Sequence, residues 1–95
     1  MKAKNLLKTR RHISETVFID MKVWLVPQKV PGSDHMFKYS LALVSQNVCI
    51  LRYDNEAGKG DHKHIGATEL SYAFNGRDAL QADFWKDVEK WLSEN

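Results

Sequence analysis

Within seven residues, the segment Gly58-Lys59-Gly60-Asp61-His62-Lys63-His64 holds two imidazoles, two ammonium groups and a carboxylate. Cleaving RNA through its own 2′-OH needs a base for the 2′ proton, a cation for the charge growing on the phosphate, and an acid for the departing 5′ oxygen. Histidine suits the first and last tasks, because a free imidazole titrates near neutrality. Lys59, Lys63 or Arg52 suits the second. That route needs no metal and no cofactor, and none is expected. The glycines let the backbone turn sharply and come close to a ligand. Consecutive N–H groups in such a turn form a nest for an anion. If residues 61–65 run extended, Asp61, Lys63 and Ile65 face one way. His62 and His64 then face the other, about 6.5–7 Å apart at Cα.

Three other readings compete for the same residues. Asp61, His62 and His64 are candidate ligands for a divalent transition metal, but ligands so close in sequence chelate poorly and no fourth lies nearby. The segment also suits a phosphate or RNA clamp without chemistry. It suits, too, a turn capped by Asp61 with solvated histidines. Catalysis is the reading carried forward. Lys38, mid-strand between Phe37 and Tyr39 but on the opposite face, is aimed at the glycine-rich loop. His12 and His35 read as surface residues, Tyr39 and Tyr53 as core aromatics with satisfied hydroxyls, and Cys49 as a small core residue. No phosphate loop, dinucleotide fingerprint, zinc-finger spacing or nucleophile elbow is present.

These groups need a scaffold. Residues 3–13 read as a first strand ending near Ile13, with a short helix over 2–9 as the competing reading. In residues 16–26, Val17, Ile19, Met21, Val23 and Leu25 fall on one face and Phe18, Asp20, Lys22 and Trp24 on the other. That period of two, with β-branched residues, marks a strand, and Pro27 ends it. A loop over 28–35 carries the Pro31-Gly32 turn pair. Phe37, Tyr39, Leu41 and Leu43 mark a third strand, Ser45-Gln46-Asn47 a hairpin loop and residues 48–53 a fourth strand. Residues 54–66 hold three of the five glycines and almost no core former. A short edge strand over 68–74 follows. Asn75 is placed to cap a helix, with Asp78 reaching back to it. Leu80, Phe84, Val88 and Trp91 then form one apolar stripe that has only the sheet to lie on. The expected fold is α+β, an antiparallel β-meander of four to five strands packed against one C-terminal α-helix, with residues 1–95 as a single domain.

Charge is divided along the chain. Residues 69–95 carry six acids and three bases, a net of −3, so the first 68 residues carry +5 of the overall +2. A basic sheet beside an acidic helix fits contact with a polyanion. The single cysteine excludes an internal disulfide and fits a reducing compartment. No apolar run exceeds four residues, far short of a membrane span or a signal peptide core. A cytoplasmic protein without membrane contact is expected, and the oligomeric state is left open.

Phe37-Lys38-Tyr39, Tyr53-Asp54-Asn55-Glu56-x-Gly58-Lys59-Gly60-Asp61-His62-x-His64, Tyr72-x-Phe74 and Ala82-Asp83-Phe84-x-x-Asp87-Val88 together resemble the TumE-type toxins of bacterial type II toxin–antitoxin pairs. The likeness runs from about Val17 to Leu92, and its specific part is the Tyr-Asp-Asn to His-x-His segment. The resemblance implies a growth inhibitor partnered by a helix-turn-helix antitoxin. By analogy with RelE-like ribonucleases it also implies an action on RNA, free or on the ribosome. It carries a polar signature onto Lys38, Tyr53, Asp54, Lys59, Asp61, His62 and His64. Lys63 stands where the family commonly has Arg, which keeps the charge but loses the forked donor. Ser14-Glu15 stands where a Gly-containing turn is commoner. The expected site therefore has His62, His64, Lys59 and Asp61 in catalysis, Lys38, Arg52, Lys63, Gly58 and Gly60 at the phosphate, and Tyr53 and Asp54 in support. An RNA- or ribosome-binding module without chemistry is the alternative, and a nucleotide-using RNA transferase is a third.

Overall fold

The alternating runs become strands in the computed structural model, which describes residues 2–95. They are β1 (Lys4–His12), β2 (Val17–Leu25), β3 (Phe37–Ser45), β4 (Val48–Asp54), β5 (His62–Ile65) and β6 (Thr68–Ser71), followed by α1 (Arg77–Glu94). The six strands pair antiparallel in chain order. The fold is the expected α+β meander closed by one helix, with one strand more than the upper expectation. The added strand is His62-Lys63-His64-Ile65, which has no core pattern of its own. It is held by backbone pairing to β4 on one side and β6 on the other.

Two tight turns set the register around it. Ser45 pairs with Val48, leaving Gln46 and Asn47 between them at φ 50 and 65. Both central residues are left-handed, as a type I′ hairpin turn demands. Ile65 pairs with Thr68 across Gly66-Ala67, with Gly66 at φ 59.

One face of the sheet carries the core. Ile19, Met21 and Val23 of β2, Tyr39, Leu41 and Leu43 of β3, and Leu51 and Tyr53 of β4 meet Leu80, Phe84 and Val88 of α1. Those three helix residues are fully buried, and each contributes about 1.5–3 kcal/mol through removal of apolar area from water. The Phe84 ring meets the Tyr53 ring edge-on at 5.7 Å. The other face is free of the helix. The pairings place Arg10, Asp20, Ala42, Arg52, His64 and Glu69 in one cross-strand row there. Lys8, Lys22, Ser40, Asp54, His62 and Ser71 form the row beside it.

Three local expectations are corrected. Cys49 is exposed rather than in the core. The β3–β4 register shifts between Leu43 and Val44, so the alternation breaks in Val48-Cys49-Ile50-Leu51 and only Leu51 is fully buried. Asn75 does not cap α1. Gly76 holds the N-cap with φ 99 and ψ 165 and no side-chain cap bond, while Asn75 Nδ2 donates to Ala73 O at 3.4 Å. Asp78 still complements the helix dipole from the first turn. The last strand stops at Ser71, short of the expected residue 74, although the Tyr72 N–H still donates to Asp61 O at 3.1 Å.

Candidate functional site

The β4–β5 register builds the candidate site. Asp54 pairs with His62 and Arg52 with His64, so all four side chains leave the sheet on the helix-free face. The imidazoles of His62 and His64 lie edge to face, their ring centroids 4.9 Å apart. His62 is 4% exposed. Its Nδ1 lies 2.8 Å from Gly60 O. A carbonyl only accepts, so Nδ1 carries a proton and donates it. Its Nε2 lies 2.5 Å from Asp54 Oδ1. Among the described residues, Asp54 Oδ1 is nevertheless the one buried side-chain polar atom without a hydrogen-bond partner. The two atoms touch but are not aligned as donor and acceptor.

Two clefts flank these side chains, one reached through His64 and the other through Asp54, and buried His62 lines neither. One, of about 210 Å³, is lined by Cys49, Arg52, His64 and Gly66. The other, of about 370 Å³, is lined by Lys38, Ser40, Arg52, Asp54 and Glu56 among others. The Arg52 side chain borders both. A third recess, of about 160 Å³, lies on the helix side between Ile50, Ile65, Lys90 and Trp91. It is mostly apolar and brings together no histidine.

The sequence-derived residues divide into two groups. His62, His64, Arg52, Asp54 and Lys38 come together on the helix-free face. The rest do not join them. Asp61 points to the core side, where its carboxylate accepts from Ser33 Oγ at 2.6 Å, His35 Nε2 at 2.7 Å and Tyr39 OH at 2.7 Å. Lys63 Nζ reaches Asp87 Oδ2 on α1 at 3.2 Å. The Tyr53 hydroxyl donates to the same carboxylate. Lys59 is exposed and pairs loosely with Glu56 at 3.7 Å. Gly58 and Gly60 lie in a loop packed on Pro31-Gly32, and Gly60 lines, with Lys59 and Asp61, a separate cleft of about 380 Å³. Gly58 N–H donates to Pro31 O at 2.7 Å, and a Cβ on Gly60 would fall 2.8 Å from Gly32 O.

Sequence reasoning missed the parts that hold this loop. His35 is not a surface residue: its ring stacks on Phe74 with centroids 3.7 Å apart. Its Nδ1 accepts from Phe37 N–H at 3.2 Å, which leaves Nε2 as the donor to Asp61. Asn55, 1% exposed, accepts from Tyr39 N–H and donates to Phe37 O at 2.7 Å. The one available signal was its place in the Tyr-Asp-Asn motif, since an asparagine buried this deeply must be bonded on both ends.

Electrostatics follow the same division. Burial alone would push the Asp61 carboxyl up. The hydrogen bonds from Ser33, Tyr39 and His35 outweigh it and hold the group below the usual carboxylate range. Burial, then the Asp61 contact, pushes the Tyr39 hydroxyl far up. Tyr53 and Tyr72 are raised in the same way, by burial and then by Asp87 and Asp83 respectively. These tyrosines stay protonated and act as struts. For a metal, the ligand set present is Asp54, His62 and His64, whose donor atoms all lie within 4.8 Å of one another. The trio read from sequence had Asp61 in place of Asp54. Asp61 is already occupied by three donors on the other side.

No helix among the described residues is long and apolar enough to cross a membrane. Comparison with curated proteins and with solved structures returned no match. A family model described as Toxin TumE matches residues 3–92 of the 95-residue chain, including every strand, the His62–His64 face and nearly all of the helix, and the chain therefore belongs to the TumE toxin family.

Proposed function

We propose that this chain is the toxin half of a type II toxin–antitoxin pair and that it arrests growth in the cytoplasm by cutting RNA, free or on the ribosome, without a metal. The observation that carries this reading is the β4–β5 register, which sets Arg52 beside His64 and Asp54 beside His62 on the helix-free face. Arg52 supplies a forked guanidinium and Lys38 a point charge for the phosphate. His64, at the cleft wall, takes the 2′ proton. The 2′ oxygen attacks phosphorus, the bond to the 5′ oxygen breaks, and His62 returns a proton to that oxygen. The new ends are a 2′,3′-cyclic phosphate and a 5′-OH. Asp54 stabilises the positive charge on His62, as a carboxylate does beside any working imidazole. Asp61, Lys59, Lys63, Tyr53 and the glycines serve the scaffold on this reading, by fixing the loop that carries Gly60 O.

Expression of the chain tests the proposal, alone and with the reading frame beside its gene, scored for growth and total RNA integrity. The wild type alone is expected to arrest growth and degrade RNA. A neighbouring helix-turn-helix protein is expected to restore growth, and His64→Ala to leave growth and RNA intact. Arrest by His64→Ala equal to wild type, with undamaged RNA, would replace the nuclease by a binding module.

A further inference from the structure

We infer that Asp54, His62 and His64 form a transition-metal site that takes one Zn²⁺ per chain and thereby shuts off the RNA-cleaving face. The binding half stands on geometry alone, and the shutting-off half rests on the nuclease reading above.

Four observations converge on a metal. First, the donor set is two imidazoles and a carboxylate, drawn from two strands and with all donor atoms within 4.8 Å. The objection to ligands crowded along one stretch of sequence falls away, because Asp54 comes from β4 and the histidines from β5. Second, His62 Nδ1–H is fixed on Gly60 O at 2.8 Å. A backbone carbonyl on the far nitrogen is the usual way a ligating histidine is held in the correct tautomer. Third, Nε2, the ring nitrogen that this bond leaves available, faces Asp54 Oδ1 at 2.5 Å. A carboxylate oxygen and a ring nitrogen so close are held together by a shared cation, either a proton on Nε2 or a metal ion. Among the described residues Oδ1 has no hydrogen bond. Fourth, the seat is open on one side. The Asp54 side chain is 17% exposed, and His64 borders a cleft of about 210 Å³, which leaves room for a fourth ligand.

The distances fit zinc. Bonds of about 2.1 Å in a tetrahedron separate ligand atoms by about 3.4 Å. That value lies between the 2.5 Å Asp54–His62 contact and the 4.8 Å bound on the whole set. Arg52 and Lys38 oppose a divalent cation by charge. Their opposition weighs most against Mg²⁺ and Ca²⁺, which are held by charged oxygens, and least against metals that bond well to imidazole nitrogen. A histidine nitrogen bonded to zinc neither takes nor gives a proton, so an occupied site cannot run the proposed transfer.

The test uses tag-free full-length protein. Zn²⁺ binding is measured by competition with a chromophoric chelator, and Co²⁺ binding by its visible d–d absorption. One equivalent per chain is expected. Asp54→Asn and His64→Ala are each expected to weaken binding by about 100-fold or more, since even outer partners of metal ligands are worth about 10–100-fold. His12→Ala, on an exposed strand end, should bind like wild type, and far-UV circular dichroism checks that each variant is folded. No stoichiometric binding by folded wild type overturns the inference, and so does undiminished binding by both site variants. RNA cutting is scored in parallel, in EDTA and with one equivalent of Zn²⁺. Cutting in EDTA that Zn²⁺ abolishes supports both halves. Zinc binding with no cutting under either condition keeps the site and removes the nuclease. Cutting stimulated by Zn²⁺ overturns the shutting-off.

Discussion

Asp54 and His62 face each other across the β4–β5 pair with Oδ1 and Nε2 2.5 Å apart, and among the described residues that oxygen has no hydrogen bond. A buried carboxylate oxygen set against an imidazole in this way does little for stability. It makes sense as part of a site that works by placing a cation or a moving proton there.

Asp54→Asn therefore separates function from fold. The amide keeps the shape but removes the charge that supports a protonated His62. Loss of a group that assists acid–base transfer is expected to lower RNA cleavage by about 10²–10⁴-fold. Thermal unfolding is expected to stay near wild type or rise slightly. Cleavage rates on a defined RNA, with a melting curve for each variant, check both.

Arg52 acts at the phosphate on this account. Arg52→Ala should lower cleavage by about 10²–10³-fold, the usual range for removing one charge-stabilising donor. It should also reduce the steepness of the salt dependence of RNA binding by about one phosphate contact. Arg52→Lys should recover the salt dependence but only part of the rate, because an ammonium cannot present two donors at once. Binding isotherms at several salt concentrations distinguish the two effects.

The Asp61 hub gives a pH signature. Its carboxyl is held below its ordinary value in the folded state, so the unfolded chain binds that proton more readily. Stability from this group is fully present above the unfolded value near pH 4, and it is lost as pH falls through the lower folded value. Asp61→Asn should cost about 1–3 kcal/mol at neutral pH by unpairing buried donors. The gap to wild type should shrink below about pH 4. Urea midpoints between neutral and acid pH check the sign.

Gly60 tests the loop packing. It sits at φ 73, and a Cβ there would lie 2.8 Å from Gly32 O. Gly60→Ala is therefore strained twice over and should cost about 1–3 kcal/mol. It should also lower cleavage, by shifting the carbonyl that fixes His62 Nδ1. Gly58→Ala meets no atom within 4 Å but shares the positive φ, so it should cost less. Melting temperatures of the two variants order the effects.

Much of this was legible in the residues. The alternation in Val17–Leu25 and the stripe Leu80, Phe84, Val88 fixed a strand and a helix, because burial on one face leaves a period in the sequence. The opposed faces of Asp61 and His62 followed from strand geometry once residues 61–65 were read as extended. What stayed hidden depended on partners far along the chain. Nothing local pairs Asp54 with His62 or Arg52 with His64, since that register is fixed by the Gly66-Ala67 turn and the backbone ladders on both sides of β5. Lys63 looked like a phosphate ligand by composition, yet its strand phase turns it to Asp87 on the helix. His35 looked exposed in its loop, but Asp61, 26 residues away in sequence, draws it inward.

The most direct measurement of the central claim is the chemistry of the cut ends. Purified protein is incubated with a defined RNA in EDTA, and the new termini are identified by mass. The account predicts a 2′,3′-cyclic phosphate and a 5′-OH from wild type and neither from His64→Ala. A 3′-OH with a 5′-phosphate, or equal cutting by wild type and His64→Ala, would contradict it.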